Sequence, residues 1–173
     1  MAAADVRSRF PSLADGWVRF DGPAGTLPVD TCVDAIADYM RSPHPANLGG
    51  YFAASVESQK VVDAARSGVA RLVGVQPDEV VFGPSTTNLM FAFTRALSRH
   101  WEPGDRIVCT QLDHDSNVSP WLLAARDAGA VVEMLEIDPV DGTLDVEPLA
   151  KLCADGRTKW VAISGASNLT GHA

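Results

Sequence analysis

Three short loops of the sequence carry residue types that bind phosphate or transfer protons. The first is GPSTTN at residues 83–88, in which Ser85, Thr86 and Thr87 lie between an apolar run and a helix-like segment. Free backbone N–H groups and the positive end of a helix dipole favour a phosphate at such a position. The loop is not a P-loop, because no Gly-Lys-Ser/Thr follows it. The alternative is a plain Ser/Thr N-cap, which the local sequence favours by about two to one.

The second loop, LDHDSNVSPW at residues 112–121, holds an imidazole between two carboxylates. His114 is flanked by Asp113 and Asp115 and follows the apolar run RIVCTQ. A histidine can transfer a proton near neutral pH, and its flat ring can stack on an aromatic ligand. A hydrolase triad does not fit, because adjacent side chains point apart and the chain has no G-x-S-x-G elbow. A solvated loop that caps the next helix is an equally weighted alternative.

The third loop, GASNLTG at residues 165–171, offers the amide of Asn168, which can both donate and accept hydrogen bonds. A turn of small residues is the favoured interpretation when this stretch is taken alone. The loop follows the apolar run WVAIS, and ligands of open α/β proteins bind just beyond the carboxyl ends of strands. We therefore expect all three loops at one edge of one sheet.

The elements that must position these loops alternate between helix and strand. Helical spacing of apolar residues predicts helices at residues 31–41, 54–72, 87–100, 119–128 and 146–154. The third of these helices is apolar enough to be well buried, and Asp145 is the predicted N-cap of the last. Short apolar runs predict strands at residues 79–82, 106–111, 131–137 and 159–164. This order predicts an α/β fold of three layers, α/β/α, with a mainly parallel sheet.

Composition excludes several classes of function. The chain has 173 residues and a net charge of −8, which disfavours a nucleic-acid partner. No apolar run approaches membrane-spanning length, and the N-terminus lacks the apolar segment of a signal peptide. Cys32, Cys109 and Cys153 are too far apart for a zinc motif, so we expect three reduced thiols, no metal site and a cytoplasmic location.

Taken together and in order, the motifs resemble the N-terminal part of class V aminotransferase-type enzymes. This group depends on pyridoxal 5'-phosphate (PLP) and includes the cysteine desulfurases, and the chain is most similar to the cysteine desulfurase-like branch. The matching stretches are FDGPAGTLP at residues 20–28, NLGGYF at 47–52, GPSTTN, LDHDSNVSPW, DGTLD at 141–145 and ASNLTG at 166–171. The spacing of the last four is the specific part of the resemblance.

The resemblance implies a role for each matched residue in an incomplete large domain of fold type I. It places residues 1–30 in an N-terminal arm with a substrate-side loop and residues 31–173 in the α/β part that binds the cofactor. His114 would stack on the pyridine ring and relay protons, and Asn168 would hydrogen-bond the phenolic oxygen. Further implied roles are phosphate binding by Ser85, Thr86 and Thr87, proximity to the substrate carboxylate for Ala24 and Gly25, and support of the histidine loop by Asn117 and Trp121.

Three residues that the family requires lie beyond its ASN motif. They are the aspartate that pairs with the pyridinium nitrogen, the Schiff-base lysine and, in desulfurases, a nucleophilic cysteine. Lys60, Lys151 and Lys159 do not match that lysine. The resemblance therefore predicts a fragment that is inactive alone and that aggregates or binds a partner chain, and whose intact form is a homodimer.

The resemblance leaves the reaction open. Sulfur removal from cysteine is the default for the intact protein, acting on a small amino acid, while aminotransfer, epimerisation and other β-eliminations share the same motifs. A non-catalytic module, either a cofactor-binding or a regulatory fragment, is the alternative from another class. A nucleotide-binding α/β domain is weaker, because the chain lacks G-x-G-x-x-G and an acidic residue at the ribose position.

Overall fold

The computed structural model of the protein describes residues 6–172, and the chain divides into two compact units between Phe82 and Gly83. No helix in this described part combines the length and the apolar character needed to cross a bilayer. The boundary at residue 30 that the family resemblance implies stays a prediction.

The first unit is built around two helices, α1 (Asp30–Arg41) and α2 (Ala53–Val73). Helix α2 ends at Gly74, whose φ of 76° is a left-handed conformation that glycine adopts without steric cost. Arg9 forms a salt bridge to Asp30 at the start of α1, with Nε 2.7 Å from Oδ2. Both helices predicted from apolar spacing are confirmed to within one residue at each end.

The predicted strand at residues 79–82 is wrong. Glu79 ends a short 3-10 helix (Pro77–Glu79), and Val80 continues with extended backbone angles, φ −94° and ψ 119°. Residues 80–82 pair with none of the described strands, and Val81 and Phe82 are exposed. The run has the composition of a strand, but an extended segment becomes a strand only when a neighbouring strand takes up its backbone hydrogen bonds.

The second unit contains a parallel sheet of three strands. They are β1 (Arg106–Thr110), β2 (Val131–Leu135) and β3 (Thr158–Val161), and β1 lies between β2 and β3. Helix α3 (Thr86–Leu97) precedes the sheet, α4 (Ser119–Ala128) connects β1 to β2, and α5 (Glu147–Ala154) connects β2 to β3. This topology confirms the α/β class with a parallel sheet.

The core of the second unit lies where β1 meets α4. Ile107 and Cys109 of β1 are completely buried, and so is Trp121 of α4. The Trp121 ring stacks on Trp160 of β3 at 5.4 Å and on Trp101 at 6.2 Å between centroids. This stack fixes α4 against the sheet, because aromatic pairs contribute about 0.5–1.5 kcal/mol each beyond the area they bury.

Two details of the helices differ from prediction. Helix α3 is not well buried, since Thr94 is its one buried residue and Phe93 is 42% exposed. Its apolar residues lie all around the helix, whereas its packed side carries Phe93 against Trp121 of α4 and Trp160 of β3, at 6.1 and 5.3 Å between ring centroids. Helix α5 begins one residue later than predicted, with Val146 at the N-cap position, yet the Asp145 carboxylate still accepts the N–H of Glu147 at 2.9 Å.

Candidate active site

A cavity of about 240 Å³ opens at the carboxyl edge of the parallel sheet. It is formed by the segments that follow β1, β2 and β3, which is where an α/β sheet positions ligands. Its lining residues are Gln111, Leu112, Asp113, His114, Ile137, Ser167, Asn168, Leu169 and Thr170. Two residues predicted from separate motifs, His114 and Asn168, therefore line the same cavity.

Among residues 6–172, the ring of His114 has hydrogen-bond partners at one nitrogen only. Its Nδ1 accepts the backbone N–H of Ser116 at 3.1 Å and lies 2.8 Å from the Ser116 hydroxyl oxygen. Because Nδ1 is an acceptor, the neutral ring carries its proton on Nε2. Ser116 is buried while the ring is exposed, so Nε2 is left available to a ligand.

Asp113 is the centre of the hydrogen bonds that shape the histidine loop. Its Oδ1 accepts from Asn117 Nδ2 at 2.7 Å and from the Ser164 hydroxyl at 2.5 Å. Its Oδ2 accepts from the hydroxyl of Thr110, the last residue of β1. A carboxylate has the lone pairs to accept all three bonds at once, and charge-assisted bonds are stronger than neutral ones.

The supporting positions Asn117 and Trp121 extend this network into the core. The buried indole Nε1 of Trp121 donates to Asn117 Oδ1 at 3.1 Å, and the same amide donates to Asp113. Asn117 lies in a short 3-10 helix (Asp115–Asn117) that leads into α4. The loop that carries His114 is thus anchored to the tryptophan stack.

Asn168 lies on a turn that Ser167 organises. The buried Ser167 hydroxyl accepts the N–H groups of Leu169 and Thr170, each at 3.2 Å, and its carbonyl accepts the N–H of Gly171 at 2.9 Å. The side chain of Asn168 is exposed and makes no hydrogen bond to any residue of the described range 6–172. Its amide is therefore free to bind a ligand in the cavity.

The predicted phosphate residues lie at the N-terminus of α3 and do not line this cavity. Ser85 is the N-cap, and its hydroxyl accepts the N–H of Asn88 at 3.2 Å, so the plain N-cap interpretation holds for that hydroxyl. The N–H groups of Thr86 and Thr87, in the first helical turn, make no hydrogen bond within residues 6–172. They remain two free donors at a positive helix end.

Ala24 and Gly25 belong to the first unit. Ala24 ends a short 3-10 helix (Gly22–Ala24), and Gly25 follows it and lines another cavity, of about 290 Å³. Their assignment to the substrate carboxylate stays a prediction.

None of the three lysines lines the cavity of the second unit. Lys60 is paired with Glu57 at 2.7 Å on α2, and Lys159 with Asp105 at 3.5 Å near the amino end of the sheet. Lys151 is an exposed residue of α5. Within the described residues there is also no group of three or more His, Cys, Asp or Glu side chains arranged to hold a metal ion.

The cysteines do not supply a nucleophile at the cavity. Cys32 and Cys153 are exposed and lie outside it, and Cys109 is buried in the middle of β1. Burial, with a smaller contribution from the charge of Asp113, raises the pKa of the Cys109 thiol to about 12. A thiol in this environment stays protonated and unreactive near neutral pH.

Comparison with known proteins identifies the family. The sequence profile of the family described as Aminotransferase class-V matches residues 18–173. The chain belongs to the class V aminotransferase family. The resemblance drawn from its motifs is therefore confirmed at the level of the family.

Relatives of this class V aminotransferase chain include several cysteine desulfurases. Uncharacterized protein MT3887 of Mycobacterium tuberculosis is 36% identical over 168 residues, with 97% of this chain and 42% of that protein aligned. A probable cysteine desulfurase of Aeropyrum pernix is 36% identical over 172 residues, with 96% of this chain and 40% of that protein aligned. The chain thus spans about 42% of the length of the curated relatives it matches.

Solved structures agree with this membership. The apo structure of cysteine desulfurase from Thermococcus onnurineus NA1 aligns with 99% of this chain and 42% of its own, at a TM-score of 0.87 and 28% identity. A C-DES mutant that carries glycine covalently linked to its PLP cofactor aligns with 90% of this chain and 39% of its own, at a TM-score of 0.67. Its identity is 17%, so that likeness shows the shared fold.

Sequence reasoning about this family member missed Asp113 and Ser164. The sequence presents Asp113 only as a neighbour of His114, and Ser164 only as the end of a predicted strand. The two residues are 51 positions apart, and no local pattern relates them. The one available signal is that Ser164 ends a predicted strand and Asp113 follows another, so both polar side chains lie at the carboxyl ends of strands, at the same sheet edge.

Proposed function

We propose that this chain forms the cofactor-side part of a PLP-dependent enzyme of the cysteine desulfurase-like group. The observation that carries the proposal is that His114 and Asn168, assigned to the cofactor from separate motifs, line one cavity at the carboxyl edge of the sheet. The family profile over residues 18–173 and the cysteine desulfurases among the relatives support it.

The residues present fit the chemical groups of the cofactor. PLP offers an aromatic ring, a phenolic oxygen and a phosphate. The exposed His114 ring and the unpaired Asn168 amide match the first two groups, and the free N–H groups of Thr86 and Thr87, beside Ser85, match the third. This match concerns the types of group that the residues offer and not their positions, because the N-terminus of α3 does not line the cavity.

When bound, PLP supplies an electron sink for a carbanion next to the amino group of the substrate. The protein residues supply orientation and proton transfer. His114 is held through Nδ1 by Ser116, so Nε2 is the atom that holds or transfers a proton. Asn168 Nδ2 is the donor available to an oxyanion, and Ala24 and Gly25 are proposed near the substrate carboxylate.

For the whole protein we propose a small amino acid as substrate, with cysteine as the default because relatives are named cysteine desulfurases. Aminotransfer, epimerisation and other β-eliminations are the alternatives within the family. A homodimer and a cytoplasmic location are part of the proposal, and the three free cysteines are consistent with a reducing compartment.

A cofactor-binding module without turnover is the second candidate. It is favoured by the observation that Lys60, Lys151 and Lys159 all lie outside the cavity, two of them in ion pairs. A protein of this kind would bind PLP by contacts alone, without a covalent link to a lysine.

A PLP titration of the chain tests the proposal, followed by absorbance and by quenching of tryptophan fluorescence. We expect saturable binding that H114A and N168A each weaken by about tenfold, the effect of losing one good contact. H100A is the matched control, because His100 lies in the same unit and does not line the cavity. Absence of saturable binding by the wild-type chain, or equal affinity in all four proteins, would overturn the proposal.

A further inference from the structure

Asp113 joins three separate segments of the second unit. Thr110 ends β1, Asn117 lies in the 3-10 helix before α4, and Ser164 lies just after β3. All three donate hydrogen bonds to the Asp113 carboxylate. Asp113 itself lines the cavity next to His114 and is partly buried. Its carboxylate has therefore exchanged water for protein donors on both oxygens.

The bond from Ser164 to Asp113 joins the two segments that carry His114 and Asn168. Within residues 6–172, it is the one hydrogen bond that joins the histidine loop, residues 111–117, to the segment 162–172 that carries Asn168. Ser164 precedes Asn168 by four residues. The next bond along the sheet, from the Ala162 N–H to the Val108 carbonyl at 2.8 Å, joins this segment to β1 and not to the histidine loop, so the Ser164 bond is the polar contact between the two cavity walls themselves.

We propose that Asp113 is a positioning residue that, through Ser164, sets the separation between His114 and Asn168. The inference rests on the proposed cofactor site, because Asp113 would position the two side chains that bind the cofactor there. Asp113 acts by accepting hydrogen bonds, and the correct geometry of the three bonds matters more than the negative charge.

The chemistry of the amide group makes this distinction testable. In D113N, the side-chain oxygen still accepts from Asn117 and Ser164, and the new amide donates to Thr110 Oγ1 once that hydroxyl rotates. In D113A, all three donors lose their acceptor. In S164A, the carboxylate keeps Thr110 and Asn117 but the link between the two loops is gone.

Asp115 offers a matched control on the other side of His114. Its carboxylate has the same charge and accepts a hydrogen bond from the Ser119 hydroxyl at 2.6 Å. That bond joins residues only four positions apart, and Asp115 does not line the cavity. D115A therefore removes a carboxylate next to His114 without cutting the link between the loops.

The experiment has one measurement with PLP and one without it. Dissociation constants for PLP are measured for the wild-type chain and for D113A, D113N, S164A and D115A. In the cofactor-free proteins, ¹⁵N NMR records the His114 ring signals, the Asn168 side-chain signal and the hydrogen exchange rate of the Asn117 side-chain amide. Thermal unfolding of every variant shows whether the fold is kept.

We expect D113A and S164A to weaken PLP binding by about tenfold and threefold, and D113N and D115A to stay within about twofold of wild type. D113A and S164A should also shift both the His114 and the Asn168 signals. For S164A this is informative, because Ser164 belongs only to the segment that carries Asn168. A merely stabilising role of Asp113 would lower the unfolding temperature without this joint shift.

Three results would overturn the inference. The first is wild-type binding together with unshifted signals in D113A. The second is a loss of binding in D113N as severe as that in D113A. The third is that S164A leaves the His114 signals unchanged. If D113A does not fold, S164A alone decides. If the wild-type chain binds no PLP, the proposed function fails, and the joint shift of the His114 and Asn168 signals still decides whether Asp113 links the loops.

Discussion

At the scale of single residues, burial separates the cysteines into two kinds. Cys109 sits in the central strand with a thiol pKa raised to about 12 by burial and then by the charge of Asp113, whereas Cys32 and Cys153 are exposed. Thiolate is the reactive form, so only the exposed cysteines should react near neutral pH. This makes the packing of β1 measurable by a simple chemical reagent.

We predict that a thiol-specific chromogenic reagent at neutral pH labels two cysteines quickly and the third only on unfolding. The C109A variant should lose the slow phase and keep the fast one. Raising the pH short of unfolding should not release the third thiol, because its pKa lies near 12. Three fast thiols in the folded protein would show that β1 is not buried as described.

The lysines give a second prediction at this scale. None of Lys60, Lys151 and Lys159 lines the cavity, so none should form the covalent link to PLP. Borohydride reduction of the chain with PLP, followed by peptide mapping, should give no more than low and scattered labelling of these three. A single lysine modified to completion would contradict the placement of the cavity.

At the scale of elements, the tryptophan stack holds the histidine loop through one indole N–H. We predict that W121F lowers the free energy of unfolding by at least about 1–3 kcal/mol, because Asn117 Oδ1 loses its donor in a partly buried position. The smaller phenyl ring adds the cost of a cavity, since Trp121 is completely buried. W160F is the control, since the Trp160 indole N–H makes no hydrogen bond within residues 6–172. Urea unfolding measures both. Equal losses in the two variants would show that the Nε1 bond has no effect of its own.

The start of β1 is tied to the end of α5 by an ion pair that depends on pH. Arg106 donates to Asp155, with Nη2 3.0 Å from Oδ2, and this bond, followed by the Arg157 N–H, lowers the pKa of Asp155. A lowered pKa in the folded state gives stability that is present above the unfolded value and lost as pH falls through the folded value.

We therefore predict that D155N is less stable than wild type at neutral pH and that the two proteins become equal in strongly acidic solution. The Asp155 side chain is 46% exposed, so the difference should be small and should shrink with added salt. The measurement is the midpoint of urea unfolding across acidic pH. A difference that persists below the folded pKa would assign the effect to something other than the charge.

Sequence reasoning worked best where a pattern is local. The helices α1, α2 and α4 follow from apolar spacing, and β1 from a continuous apolar run whose residues are buried on both faces. It failed at residues 79–82, because strand formation depends on a partner that composition does not report. It found His114 and Asn168 from their motifs but missed the bond from Asp113 to Ser164, which depends on how distant strands are paired.

At the scale of the whole molecule, much apolar surface is left exposed. Large apolar side chains more than 80% exposed in the described residues are Phe20, Tyr51, Leu72, Val140 and Leu169. Both outer strands of the sheet, β2 and β3, leave one edge unpaired within the described part of the chain. Exposed apolar patches and open strand edges both favour association.

We predict that the chain self-associates or binds a second protein under conditions where it folds. Sedimentation velocity over a range of concentrations should show species larger than the 18.4 kDa monomer. Added salt should not dissociate them, because the surfaces involved are apolar. A monodisperse monomer with cooperative unfolding would contradict this prediction.

The most direct test of the account is to map where PLP contacts the protein. ¹⁵N-labelled chain is titrated with PLP, and the ring signals of His114 and the side-chain amide of Asn168 are followed, with His100 as an internal reference. The account predicts that the His114 and Asn168 signals shift together with one dissociation constant while His100 stays unchanged. Shifts confined to other residues, or separate constants for His114 and Asn168, would show that these two side chains do not form one cofactor site.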